Sequence, residues 1–240
     1  MSRVPFPNPT GAATRHLLRL TVPWVAAVFA VLSLGYAVIT VGIAIWGKPE
    51  HSVWASVHWV AQWTGFPAGI FIGAAIPVLV AHGVSRHHSA LAAGRAALLI
   101  AAGMSAAVWV GLVVEWTAHR VAGLPHRIDG SHLYANVGEL HLVFTEYFLI
   151  FAAFIVAGWL VAAGYLRLGP RWGTVALPLT FAPGPLGLAA IAAGWRGPVD
   201  EDSPGWVSTA HPLAAVSIAA AVMLAGLAAA YLTNRRAPIK

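Results

Sequence analysis

The side chains able to do chemistry in this chain are histidines and carboxylates, and they gather in the same connections between apolar runs. His51, His58, His119, His126, His132, His141 and His211 fall near Glu115, Glu139 and Glu146. Imidazoles and carboxylates of this kind can bind zinc or copper, or offer axial ligands to haem. The candidate ligands are His58, His119, His132 and His141. Their spacing gives little support. Glu115 and His119 are one helical turn apart and share a face, and Glu139 and Glu146 share a face two turns apart, but His141 points away from it. No His-Glu-x-x-His pattern occurs. Membrane bundles that carry haem place histidines well inside opposing spans, whereas these lie near span ends. The competing reading is a set of interfacial histidines hydrogen-bonded among tryptophans and water.

Glu146 stands apart because it lies a turn or two inside an apolar run. A carboxylate there is costly unless it is paired, protonated or facing water. Arg120 or Arg127, from the preceding connection, is the expected partner. Two roles stay open for Glu146 with Glu139, His141 and Glu115: holding an outer loop in place, or lining a substrate pathway. No second acid lies deeper in any span, which argues against a proton relay.

The elements that position these residues are membrane spans. Of the 240 residues, 59% are hydrophobic and 9% charged, and the mean hydropathy is +0.75. Soluble domains carry about 25% charge, so the composition predicts an all-α integral membrane protein. The pI near 10.3 does not point to nucleic acid. The basic residues sit in short clusters between apolar runs, which is how membrane topology is written. Without cysteine there is no disulfide, thiolate metal site or cysteine nucleophile. No Walker motif, Ser-His-Asp signature or dinucleotide fingerprint appears, so the chain has no visible means of hydrolysing ATP itself.

The pattern predicts one transmembrane domain over 1–240: a cytoplasmic segment at 1–19, six helices within 20–233 and a cytoplasmic tail at 234–240. The first segment lacks signal-peptide features and is expected to include a short amphipathic helix on the membrane. The spans are expected near 20–46, 64–84, 96–116, 147–166, 174–195 and 211–232. Residues 51–63 either lie on the outer surface or extend the second span. Gly65, Gly69 and Gly73 form a small-residue ladder suited to close helix packing, as do Gly158 and Gly164. Pro178, Pro183 and Pro185 break the fifth span or make it re-entrant. With both termini cytoplasmic, most arginines fall inside, while Lys48, Arg120, Arg127 and Arg196 fall outside.

The fourth span ends in Gly164-Tyr165-Leu166-Arg167-Leu168-Gly169-Pro170-Arg171-Trp172-Gly173. This end resembles the permease subunits of actinobacterial ABC-type exporters, which often show a Tyr-Arg-Arg-Phe-Gly-like turn there. The six-span layout is also similar. This chain departs from the pattern with leucines at 166 and 168 and a proline at 170. The resemblance implies a dimeric export pore, homo- or heteromeric, served by separate ATP-binding-cassette ATPase subunits that carry the ATP and magnesium. It also implies a short cytoplasmic helix between the second and third spans, here 85–95, that meets the ATPase through Arg86, His87, His88 and Arg95. The expected function is ATP-driven export of a hydrophobic or amphiphilic compound across a bacterial cytoplasmic membrane. The alternative is a metal- or haem-binding membrane redox protein using the outer histidines.

Overall fold

The computed structural model describes residues 8–47, 52–128, 132–195 and 211–236. Among these residues the chain is helical, with no strand. The helices are α1 (Pro9–Trp46), α2 (His58–Ala81), α3 (Arg86–Val121), α4 (Leu140–Val175), α5 (Leu177–Phe181), α6 (Pro183–Ala192) and α7 (Pro212–Arg236), with one 3-10 turn at Trp54–Val57. Five of them, α1, α2, α3, α4 and α7, are long and apolar enough to cross a membrane.

α4 is the axis of the bundle. Every residue from 149 to 164 is buried, and α2, α3, α6 and α7 all pack against it. The closest approach is to α2 and rests on glycines from both helices. A Cβ on Gly69 would run into the carbonyl of Ile155, and a Cβ on Gly158 would run into the carbonyl of Phe66. The two backbones are in direct contact, which only small residues allow. Gly65 faces Phe151 and Gly73 faces Trp159 and Ala162, so α2 and α4 run in the same direction.

Gly169 ends the regular part of α4 with φ 76° and ψ 176°, a conformation that a side chain disfavours. Pro170 follows, and Thr174 folds back to bond Tyr165, hydroxyl to hydroxyl, at 3.0 Å. The chain then returns along α4. Thr180 sits at Gly164, Gly184 at Phe154, Gly187 at Ala153 and Gly194 at Leu133. Ala182, between α5 and α6, keeps helical angles (φ −48°, ψ −37°), so the prolines interrupt this stretch without turning it around.

The bundle has two unlike ends. The starts of α1 and α3 and the far ends of α4 and α7 carry Arg15, Arg19, Arg86, Arg95, Arg167, Arg171 and Arg235. The opposite end carries the three described carboxylates, Glu115, Glu139 and Glu146.

Two boundaries differ from the sequence expectation. Residues 9–19 do not form a separate surface helix but are the first turns of α1, started by Asn8, whose side chain accepts the N–H of Gly11 at 2.8 Å. Thr10, Ala13, Thr14 and Leu17 are buried there, so one side of this stretch packs while Arg15 and Arg19 face out. The arginines gave the segment a polar look that hid its packed side. Likewise 85–95 is not a separate helix. Ser85 caps α3, accepting the N–H of His88 at 3.2 Å, and Ser89, Ala90, Ala92 and Ala93 are buried in its first turns. Residues 52–63 fulfil both alternatives: 54–57 form a turn over the bundle end, and 58–63 extend α2.

Candidate functional site

The carboxylate end is built from three knots, each centred on one acid. Glu146, one and a half turns into α4, is fully buried. Its Oε1 lies 2.8 Å from Nδ1 of His132, and its Oε2 accepts the N–H of Leu133 at 2.7 Å. Both oxygens are therefore engaged by the loop that precedes α4. A carboxylate removed from water needs this full engagement to be tolerated. The partner is His132, not Arg120 or Arg127 as expected. Arg120 instead lies over the Trp116 ring, 5.3 Å from its centroid.

Tyrosines extend this knot. The His132 ring stacks on Tyr134 at 4.8 Å. The Tyr147 hydroxyl donates to the carbonyl of Ala55 at 2.9 Å. Its proton is thus committed, and the Tyr134 hydroxyl, 3.1 Å away, is the donor to Tyr147. Burial, and then the nearby Glu146 carboxylate, push the Tyr134 phenol well above its ordinary pKa, so it stays a neutral donor.

Glu115, near the end of α3, makes the second knot. Its carboxylate accepts the Ser52 hydroxyl and the N–H groups of Val53 at 2.9 Å and Trp54 at 3.2 Å. Nε2 of His126 stands 3.4 Å from its Oε2. Trp54 is then locked over α3: its indole N–H donates to the carbonyl of Val108 at 2.7 Å, and its ring fills the space that a Cβ on Gly111 would need. Glu139, just before α4, makes the third and simplest knot, accepting the N–H of Ala135 at 2.8 Å.

Among the described side chains, the candidate metal ligands His119, His132 and His141 do not converge. Nδ1 of His119 bonds the carbonyl of Glu115 at 2.9 Å, and its ring meets the edge of His126 at 5.0 Å. His132 is committed to Glu146, and His141 is exposed on α4. His58 opens α2, and its side chain lies outside the described residues, as does all of His51. Among the described residues, no group of three or more His, Asp or Glu could hold a metal ion.

At the arginine end, Arg86, His87 and His88 occupy the first turn of α3, with Arg95 two turns further on. Nδ1 of His87 lies 2.8 Å from the Tyr231 hydroxyl, and Nδ1 of His88 lies 2.8 Å from Oγ1 of Thr10. These contacts pin the start of α3 to α7 and α1.

Sequence reasoning singled out all three described acids but missed their partners. Ser52, Trp54, Tyr134 and Tyr147 are isolated polar tips in apolar surroundings, and backbone N–H groups leave no mark in a sequence. Of the two roles open, the geometry at Glu146 matches a loop anchor: the carboxylate is fully buried and each oxygen is held by the loop before α4. The fold and its ends define a helical protein with several membrane-spanning helices. No family model, no curated protein and no solved structure matches the chain.

Proposed function

We propose that the chain is the membrane-embedded permease subunit of an ATP-driven exporter of hydrophobic or amphiphilic compounds. In this reading it crosses a bacterial cytoplasmic membrane six times with both termini inside. It works as one of two paired subunits served by separate ATPases. The carrying observation is the contrast between α4 and α1. α4 occupies the centre of the bundle, so among the described residues its side chains fill the middle of the single chain. The second half of α1 presents Val31, Leu34, Val38, Ile39, Ile45 and Trp46 on an open apolar side. A pathway between two copies, with α1 at their boundary, fits both facts.

The return of α5 and α6 alongside α4 supports a sixth crossing, and the clustering of arginines at one end supports a cytoplasmic assignment for that end. In this reading the ATPase docks at that end, where the start of α3 carries Arg86, His87 and His88 and the exposed turn at the end of α4 carries Arg167 and Arg171. The likeness of that turn to exporter permeases points the same way.

Lipid covers an apolar helix face as well as protein does, so the test must find the partners. The chain has no cysteine, which makes single introduced thiols clean reporters. Leu34→Cys or Val38→Cys is expected to cross-link two copies in native membranes, and mild detergent is expected to recover an ATPase with the protein. Recovery of uncross-linked protein with no ATPase would sink the proposal.

A further inference from the structure

We propose that the groove between α1 and α3 at the arginine end binds one anionic phospholipid, its phosphate between Arg15 and Arg95 and its acyl chain along Leu18, Leu98 and Leu99. The groove is open along its outer side, has a volume of about 800 Å³ and is lined by these five residues together with Asn8 and others of the α1 start. The inference does not depend on the exporter reading.

The order of residues along the two walls carries it. α1 and α3 run in the same direction. Thr10 is bonded to His88 near their starts. Farther along, Tyr36 of α1 packs on Trp54, which bonds the carbonyl of Val108 in α3. On each wall the arginine comes first and the leucines follow about one turn later: Arg15 then Leu18, and Arg95 then Leu98 and Leu99. One turn advances about 5.4 Å. The groove is therefore cationic toward the bundle end and apolar toward the bundle middle on both sides. That is the order of headgroup and chain in a lipid lying along the helices.

Charge completes the match. The three described carboxylates are all at the opposite end of the bundle, and neither arginine has an ion-pair partner among the described residues. Two guanidinium groups on the walls of one groove repel each other, and an anion between them removes that repulsion. Guanidinium suits phosphate through paired N–H donors. A free phosphate would satisfy the arginines and leave the exposed Leu99 and the open sides of Leu18 and Leu98 uncovered, whereas a phospholipid uses both. Arg167 and Arg171 lie at the same end on an exposed turn outside this groove, so they separate general attraction to a membrane surface from binding in the groove.

The test is native mass spectrometry of the full chain offered equal phosphatidylglycerol and phosphatidylcholine of the same chain length. The wild type should retain phosphatidylglycerol about tenfold more strongly. The double variant R15Q/R95Q should lose that preference, and R95Q alone should lose part of it. Both arginines are exposed, so neither change disturbs the core. R167Q/R171Q removes the same charge at the same end and should keep the preference. Leu98→Asn should weaken lipid retention without changing binding of inorganic phosphate. The proposal is overturned by any of three results: no lipid preference in the wild type, equal loss in the two double variants, or full displacement of the lipid by millimolar inorganic phosphate.

Discussion

Glu146 and Glu115 sit at the same end of the bundle and accept the same kinds of donor, yet they are built differently. Glu146 takes a ring nitrogen and one backbone N–H from adjacent residues, His132 and Leu133. Glu115 takes a hydroxyl and two backbone N–H groups from residues 52–54, more than 60 positions away in sequence. The Glu146 side chain is 0% exposed, whereas that of Glu115 is 9% exposed. A donor left behind at Glu146 has no route to water, while one left behind at Glu115 has a narrow one. The comparison teaches that depth, rather than the number of bonds, should set the cost of losing each anchor. Tyr147 joins the two knots, because it sits beside Glu146 in sequence and bonds the carbonyl of Ala55.

The largest effect is expected at Glu146. Glu146→Ala strands the His132 ring and the Leu133 N–H in a dry site, and breaking a buried pair this way costs about 3–5 kcal/mol. Glu146→Gln keeps one acceptor oxygen but turns an N–H₂ group toward a donor, so a loss of roughly 1–3 kcal/mol is expected. Thermal unfolding in detergent measures both. A Leu133→Cys reporter, buried in the wild type, should become open to maleimide in Glu146→Ala. Unchanged stability together with unchanged labelling would show that depth does not set the cost.

Glu115→Ala comes next. It releases the Ser52 hydroxyl and two N–H groups, but water can reach part of the vacated space. A loss of about 1–3 kcal/mol is expected, and it should be local. Ala55→Cys, buried in the wild type, should become labelled, while Leu133→Cys should stay protected. If both positions open together in Glu115→Ala, the two knots act as one unit through Tyr147 and the distinction between them fails.

The contrast between the knots also marks what could be read from sequence. The acids were legible because a carboxylate beside or inside an apolar run is expensive wherever it lies. The glycine ladder on α2 was legible because its spacing of four has one consequence in a helix. The partners of the acids were not legible. Val53, Trp54, Leu133 and Ala135 donate through the backbone, which every residue possesses. Charge also misled, since Arg120 and Arg127 looked like natural partners for Glu146 while the neutral-looking pair of His132 and an N–H took the role. At the other end, Arg15 and Arg19 made the start of α1 look like a surface segment. Thr10, Ala13 and Thr14, just before Arg15, carry the packing together with Leu17, and small residues give a weak hydropathy signal.

Glu139 sets the lower limit of the comparison. It stands at the start of α4, half-buried, with one accepted bond from the Ala135 N–H across a tight turn. Ala135 is exposed, so water replaces the lost acceptor when the carboxylate goes. A carboxylate beside a helix N-terminus also gains a few tenths of a kcal/mol from the helix dipole. Glu139→Ala should therefore cost about 0.5–1 kcal/mol, and Glu139→Gln less. Neither should open Leu133→Cys or Ala55→Cys to maleimide. The ranking Glu146, Glu115, Glu139 then follows water access at each knot. Unfolding midpoints of the three alanine variants, compared in one detergent, decide it: a drop for Glu139→Ala as large as that for Glu146→Ala would show that position at the start of α4, and not depth, governs the loop.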